Sequence, residues 1–199
     1  MFTAVLDTSV LWPSLQRDFL LSLAVEQCYR PLWSSAILDE LVVHEARKLV
    51  RAGLTEDDAE LRAERLIATM SRAFDDALVT GWEPLEGSYE LPDPDDEHVV
   101  AAAAKGGAEV IVTSNLKDFP DTKLPEPIRV LSPQQFAYDT VRQHVTPACR
   151  AVISICRRSG RKGPELTADD VLGVLRNRYG MVDAVEVLSS APGLRSFLV

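Results

Sequence analysis

The sequence predicts an α/β fold in which a mostly parallel central sheet is flanked by helices. Short apolar runs rich in β-branched residues alternate along the chain with longer segments of helical periodicity, as they do when strands and crossover helices follow one another. The 199 residues are 46% hydrophobic, which is enough for a packed core. Ligands of such sheets lie beyond the carboxyl ends of the strands, so polar side chains at those ends are the first candidates for a functional site.

The chain opens with the apolar run 2–6, which predicts a buried strand that presents Asp7 at its carboxyl end. Pro13 then permits a helix over residues 14–27, because proline is tolerated in the first helical turn. Residues 31–33 are a short strand candidate. Strand, helix and strand in this order form the unit from which parallel sheets are built.

Two further helices follow, each with a capping residue at its start. Ser34 or Ser35 can cap a helix that carries an apolar stripe. Thr55 with the acids after it is typical of a second helix start, because acidic side chains stabilise the positive end of the helix dipole. Helical spacing continues to Gly81, so this second helix is predicted to reach that residue.

The next part of the chain repeats the alternation. Three prolines in residues 82–94 predict a connection, and a helix follows over about 96–105, ended by two glycines. Residues 109–113 and 128–131 are predicted strands, and Ser132 opens another helix. These elements complete the predicted α/β sandwich.

The charge balance changes near residue 139. The formal net charge is −9, but residues 1–139 hold 12 Lys and Arg against 25 Asp and Glu, whereas residues 140–199 hold 9 against 5. The carboxyl-terminal part also has helical periodicity on both sides of a basic turn at 157–164. We therefore predict a main domain over 1–138 and a small, basic, helical appendage over 139–199.

Several classes of protein are excluded by what the sequence lacks. No apolar run of about 18 residues is present to span a membrane, and no basic segment of a signal peptide opens the chain, so a cytoplasmic protein is expected. The motifs G-x-G-x-x-G, P-loop and G-x-S-x-G are absent. His44, His98 and His144 do not have the spacing of metal ligands, and we interpret them as structural.

Oxygen-bearing side chains occur in four places where they could carry chemistry. They are Asp7, Glu40, the cluster Asp93, Asp95 and Asp96, and the pair Asn115 and Asp118. Hard divalent cations such as Mg²⁺ take oxygen ligands, and a metal-activated water can cleave a phosphodiester. Each residue also has an ordinary explanation, as a turn former, a helix-rim acid or a helix cap. The residues taken singly leave both interpretations open.

The segments LDTSVL, SSAILDEL, LPDPDDEHVVAAA and VIVTSNLKDFP together resemble the signature of the PIN-domain superfamily, especially its bacterial VapC-type toxins. The resemblance covers roughly residues 1–138. It implies a PIN-like three-layer sandwich and a Mg²⁺-dependent endoribonuclease of a toxin-antitoxin system, with Mn²⁺ as an alternative metal. It also implies a small antitoxin protein as partner, an RNA substrate and a homodimer.

The resemblance further implies a role for each candidate residue. Asp7, Glu40 and Asp96 are then the metal-binding, catalytic acids, and Asn115 or Asp118 occupies the fourth, less uniform position, with Asp118 predicted as catalytic. Residues expected to orient ligands or water are Ser9, Asp93, Thr113 and Ser114. The alternative is a non-catalytic PIN module that binds RNA or a protein partner, which Asn115 in place of an acid favours.

Four basic residues of the appendage have two interpretations. In one, they attract RNA phosphates or an acidic protein partner through the local potential. In the other, they form a solvated loop or pair with acids of the same chain. These residues are Arg157, Arg158, Arg161 and Lys162.

Overall fold

The computed structural model describes residues 1–160 and 163–195, and these residues form two compact units. Unit one consists of Met1, Pro13–Arg30 and the described part of Leu131–Val199, and unit two consists of Phe2–Trp12 and Pro31–Val130. These units are defined by spatial contacts. The domain boundary at residue 138 stays a prediction.

The strands are short and apolar. They are β1 (Thr3–Leu6), β2 (Arg30–Ser34), β3 (Leu78–Val79), β4 (Val110–Val112) and β5 (Arg129–Leu131). Their order in the sheet is β3-β2-β1-β4-β5, and the sheet is all-parallel. Consecutive residues of β1 and β4 are almost completely buried, which is the pattern of parallel strands covered on both faces. The predicted α/β class with a parallel sheet and flanking helices is confirmed.

Helices make up most of the remaining described chain. They are α1 (Thr8–Leu11), α2 (Ser14–Val25), α3 (Ser35–Arg51), α4 (Glu56–Ala73), α5 (Glu97–Gly106), α6 (Pro133–Gln143), α7 (Val145–Arg158), α8 (Ala168–Asn177), α9 (Val182–Ser190) and α10 (Pro192–Arg195). Short 3₁₀ turns occupy Glu83–Leu85, Pro94–Asp96, Leu116–Asp118 and Asp121–Lys123. No helix within residues 1–160 and 163–195 is long and apolar enough to cross a membrane.

The predicted helix starts are confirmed by their capping hydrogen bonds. The side chain of Ser34 accepts a bond from the Ile37 amide, and that of Thr55 accepts one from the Asp58 amide. Ser132 caps α6 in the same way. Such bonds satisfy amides that have no partner inside the helix.

The prediction that the helix after Thr55 reaches Gly81 is wrong. α4 ends at Ala73, and Phe74 leaves helical geometry with its ring edge-on to Trp33, 5.8 Å between centroids. Leu78–Val79 then pairs with β2 as the edge strand β3. The prediction relied on the apolar spacing of Leu61, Leu66, Ile67, Met70, Phe74 and Leu78, but Phe74 and Leu78 lie beyond the end of α4. Of the other four, Met70 alone is buried, together with Ala59 and Ala63.

The two glycines that end α5, Gly106 and Gly107, meet different structural requirements. A Cβ on Gly106 would lie 2.7 Å from Leu32 Cδ1 and 2.8 Å from Val79 Cγ2, so only glycine allows this close approach to the strands. Gly107 has a φ of 66°, the left-handed conformation that closes many helices. The close approach holds α5 against the sheet.

Unit one is a cluster of helices. Within it α2 packs against α7, and α6 packs against α9. The ring of Tyr29 meets that of Phe136 edge-on at 4.8 Å, and the Tyr29 hydroxyl donates to the Leu20 carbonyl at 3.0 Å. These contacts bury aromatic area and satisfy the phenol at the same time.

Glu97 fastens the loop that precedes α5. Its carboxylate, only 3% exposed, accepts hydrogen bonds from the amides of Tyr89 and Leu91, both at 3.1 Å. Burial raises the pKa of this carboxyl, but the backbone hydrogen bonds outweigh that effect and hold the pKa below its usual value. The charged carboxylate therefore fixes the loop next to Asp96.

We expect Glu97→Gln to lower the free energy of unfolding by about 2 kcal/mol, because a neutral amide leaves a buried backbone donor without its acceptor. Urea denaturation followed by circular dichroism measures the change. Glu83→Gln, which neutralises an exposed acid of the same loop, is the matched control. Equal stability of the two variants would show that Glu97 does not fasten the loop.

Candidate active site

A pocket of about 210 Å³ lies in unit two beyond the carboxyl ends of β1 and β4. It brings together residues that are far apart in sequence, among them four of the five predicted metal ligands. Its lining residues are Asp7, Thr8, Ser9, Trp12, Glu40, His44, Asp96 and Asn115. A second groove, of about 450 Å³ between α3 and α4, contains none of the predicted site residues.

Asp7 stands directly after β1 and is 6% exposed. The hydroxyls of Ser9 and Thr113 each donate to its Oδ2 at 2.6 Å. Those hydroxyls in turn accept bonds from the amides of Ser114 and Asn115, both at 3.0 Å. The carboxylate is thus held in one orientation by residues that follow β1 and β4.

Glu40 is held from two sides on α3. The Thr8 hydroxyl donates to its Oε2 at 2.6 Å, and Nε2 of His98 donates to its Oε1 at 3.1 Å, since a carboxylate only accepts. Burial raises the pKa of Glu40, but the bonds from His98 and Thr8 outweigh it and bring the pKa below its usual value. Burial lowers the pKa of His98, but Glu40 more than reverses this. Opposite charges on the pair are favoured.

Asp96 is the least satisfied acid of the pocket. It closes the 3₁₀ turn Pro94–Asp96, and its buried Oδ2 has no hydrogen-bond partner among the described residues. Burial, together with repulsion from Asp7, Asp93 and Asp118, raises its pKa from 3.8 to about 6. Ionised Asp96 therefore costs the folded protein free energy.

Asn115 and Asp118, the two candidates for the fourth ligand position, lie at different places in the structure. Asn115 lines the pocket, and its side-chain amide donates to the carboxylate of Asp118, which is 9% exposed. Lys117 Nζ lies 3.9 Å from the other Asp118 oxygen. Asn115 therefore lines the pocket with its amide nitrogen bound to Asp118, which is not among the lining residues.

The other predicted residues have contacts of a different kind. Asp93 is exposed and caps the 3₁₀ turn by accepting from the Asp95 amide at 3.1 Å. Ser114 takes part through its backbone amide rather than its hydroxyl. Arg158 donates to Asp18 at 2.7 Å and to Ser22 at 2.9 Å, all within unit one. Arg161 and Lys162 lie outside the described residues, and Arg157 is exposed at the end of α7.

Sequence reasoning missed four residues of the pocket region. His98 was interpreted as structural, but it contacts Glu40 from a position two residues after Asp96. Thr8, directly after Asp7, holds the same carboxylate. Trp12 and His44 line the pocket with their rings stacked at 6.5 Å. Nearness in sequence to Asp7, Glu40 or Asp96 was the one signal that pointed to them.

The donor set fits a hard divalent cation. Among the described residues no group of three or more His, Cys, Asp or Glu side chains is already arranged to hold a metal. The orphaned Oδ2 of Asp96 and the mutual repulsion of the acids are nevertheless what a cation would relieve. Oxygen donors from Asp7, Asp96, Glu40 and Asn115 suit Mg²⁺ or Mn²⁺ rather than a soft metal.

Comparison with known families agrees with this arrangement. The family model described as PIN domain matches residues 3–117, which is more than half of the chain. The chain belongs to the PIN-domain family. Residues of this PIN domain that line the pocket, from Asp7 to Asn115, all lie within the matched range.

One curated relative of this PIN domain comes from Mycobacterium tuberculosis (strain ATCC 25618 / H37Rv) and is named "Putative ribonuclease VapC50". The two chains are 49% identical over 59 residues, which is 29% of this chain and 34% of the relative. The match therefore spans about a third of the relative's length. No solved structure matches the chain.

We expect Asp96→Asn to stabilise the metal-free protein by about 1–2 kcal/mol at neutral pH, because it removes a repelled, partly buried charge. The penalty that the acid carries in the wild type develops as the pH rises from about 4 to about 6, since its pKa is raised from 3.8 to about 6. Below that range the two proteins should converge.

Urea denaturation in EDTA at several pH values tests this expectation. Asp95→Asn, a change at the exposed neighbouring acid, should leave stability nearly unchanged. Added Mg²⁺ should stabilise the wild type and have much less effect on Asp96→Asn. A less stable Asp96→Asn protein at neutral pH would contradict the electrostatic account of this site.

Proposed function

We propose that this PIN domain is the toxin of a bacterial type II toxin-antitoxin system and cleaves RNA as a Mg²⁺-dependent endoribonuclease. The observation that supports the proposal is the meeting of Asp7, Glu40, Asp96 and Asn115 around one pocket at the strand ends. The mycobacterial relative, named as a putative ribonuclease, supports the class of reaction. Mn²⁺ is proposed as an alternative metal.

Asp7, Glu40, Asp96 and Asn115 would hold a divalent cation, which would supply an activated water and neutralise charge on the reacting phosphate. Asp7 is prepared to bind it because the hydroxyls of Ser9 and Thr113 fix its carboxylate. Asp96 contributes the charge that is least satisfied without the cation.

Glu40 and Asn115 have complementary roles in the proposal. The side chain of Glu40 is 43% exposed and remains ionised beside His98, so an Oε atom is placed to accept a proton from water in the pocket. Asn115 offers a neutral oxygen, and Asp118 holds the amide in place. We propose Asn115 as the direct ligand and Asp118 as the residue that positions it.

The partners follow from the same proposal. A toxin of this kind requires a small antitoxin protein that blocks or distorts the carboxylate pocket, and a cytoplasmic location gives it access to RNA. A homodimer is proposed from the resemblance to VapC-type toxins. The growth of cells that express the chain with and without a cognate antitoxin is the readout for this partnership.

We expect Asp7→Asn and Asp96→Asn each to reduce Mg²⁺-dependent RNA cleavage by about 100-fold or more, which corresponds to about 3 kcal/mol of lost transition-state stabilisation. A labelled RNA incubated with purified protein, and sequencing of the cleavage ends, measure the effect. The exposed acids Asp95 and Asp121 give matched charge controls, as Asp95→Asn and Asp121→Asn.

Full activity of folded Asp7→Asn would refute the catalytic proposal. The competing function is a non-catalytic PIN module that binds RNA or a protein, and the neutral Asn115 at the fourth position favours it. Calorimetric titration with Mg²⁺ and Mn²⁺ separates the two, because the non-catalytic module has no need of a cation. RNA binding without metal binding or cleavage would support that module.

For the carboxyl-terminal residues 139–199 we propose a role in attracting RNA. Arg158 is occupied by Asp18 and Ser22, so its replacement would disturb unit one as well as its charge. The variant for testing is therefore Arg157→Glu combined with Arg161→Glu and Lys162→Glu, which leaves Arg158 in place.

We expect this triple variant to bind single-stranded RNA more weakly and with a lower salt dependence, by about 0.7 in the slope of log K against log salt for each lost phosphate contact. Fluorescence anisotropy at several salt concentrations gives the slope. The matched control reverses three exposed arginines of α4, Arg62, Arg65 and Arg72. An unchanged slope in the first variant would assign the basic turn to another role.

A further inference from the structure

Trp12 is an exposed aromatic residue on the wall of the carboxylate pocket. It is 42% exposed, although the residues just before it, Val10 and Leu11, are completely buried. Its amide donates to the Thr8 carbonyl at 3.0 Å, which fixes the backbone at the end of α1. The indole therefore stands at a defined place beside Asp7.

A second ring supports the indole. His44 lies one helical turn after Glu40 on α3, and its imidazole stacks on Trp12 with centroids 6.5 Å apart and planes 29° from parallel. Both rings line the pocket that contains Glu40 and Asp96. The arrangement is a small aromatic platform whose indole is still two-fifths exposed to solvent.

The other two tryptophans show that this exposure is particular to Trp12. Trp33 is 0% exposed and Trp82 is 6% exposed, as expected for large apolar rings. A flat ring at the edge of a site that handles phosphates has one common type of ligand, the base of an unpaired nucleotide, because every base presents a π face. The acidic lining of the pocket does not disfavour a neutral base as it disfavours a free phosphate.

We propose that Trp12, supported by His44, stacks on a nucleobase next to the phosphate that is cleaved. This inference rests on the proposed ribonuclease function and specifies its substrate: the RNA must be unpaired at that nucleotide, so that the base can leave its own stack. Because stacking alone makes no hydrogen bond to a base edge, no single base is required. Purines should bind better than pyrimidines because their larger rings offer more stacking area.

The experiment uses tryptophan fluorescence in the Asp96→Asn background, which prevents cleavage during the measurement. Quenching by a bound base reports Trp12, since Trp33 and Trp82 are buried. The probes are an octaadenylate and an abasic ribose-phosphate oligomer of the same length. We expect the octaadenylate to quench the emission and the abasic oligomer to bind more weakly without quenching.

Substitutions then test the stacking itself through anisotropy with labelled octaadenylate. We expect Trp12→Leu to weaken binding by about 5- to 100-fold, and Trp12→Phe to retain most of the affinity, because phenylalanine keeps a π face. Leu78→Ala is the control for loss of exposed apolar area, since Leu78 is 47% exposed on the edge strand β3. Circular dichroism verifies that each variant is folded.

Two outcomes would overturn the inference: unchanged affinity in folded Trp12→Leu, or equal binding of the abasic oligomer. The first outcome would mean that the indole contacts a protein partner or shields α3 from solvent, and does not bind a base. These failures are distinct from failure of the proposed function. If wild type cleaves RNA while Trp12→Leu binds and cleaves equally well, the ribonuclease stands and the platform does not. If octaadenylate quenches Trp12 but the wild type cleaves no RNA with either Mg²⁺ or Mn²⁺, Trp12 binds a base and the proposed ribonuclease function is wrong.

Discussion

Hydrogen bonds from the hydroxyls of Ser9 and Thr113 to the Asp7 carboxylate link the carboxyl ends of β1 and β4. The Ser9 and Thr113 hydroxyls both donate to one carboxylate oxygen of Asp7. Each hydroxyl oxygen also accepts a hydrogen bond from a backbone amide of the segment after β4. The rest of the pocket depends on this arrangement, because it fixes the first acid and the path of the chain toward Asn115. Parallel strands provide the geometry, since their carboxyl ends share one edge of the sheet.

Neighbouring carboxylates of the α5 start show how local structure decides the state of an acid. Glu97 is more buried than Asp96, yet its pKa is lowered, because backbone amides of the preceding loop bind its charge. Asp96 has an orphaned oxygen and acidic neighbours, so its pKa is raised. Glu97 thus stabilises the fold, whereas Asp96 keeps a charge that a cation can neutralise. This separation explains how a loop with so many acids remains folded.

The pocket combines two chemistries that suit a nuclease. Acids and Asn115 provide oxygen donors, whereas Trp12 and His44 provide stacked rings. In the proposed function, the oxygen donors serve the phosphodiester and the stacked rings serve the base of the same nucleotide. The described residues that line the pocket include no Lys or Arg. We propose the basic residues Arg157, Arg161 and Lys162 as a source of positive charge, since Arg158 is already paired within unit one.

The sequence by itself predicted every strand except β3, most of the helices, the helix caps and the acids that line the pocket, because these depend on local periodicity and short motifs. It failed where a local pattern was overruled by packing: the apolar spacing after Thr55 predicted a helix to Gly81, but Phe74 turns the chain so that Leu78–Val79 joins β2. Only the tertiary structure placed His98 against Glu40 and Asn115 in the pocket with its side chain bound to Asp118. Those contacts join residues distant in sequence or depend on how one short turn directs its side chains, and no spacing in the chain encodes either.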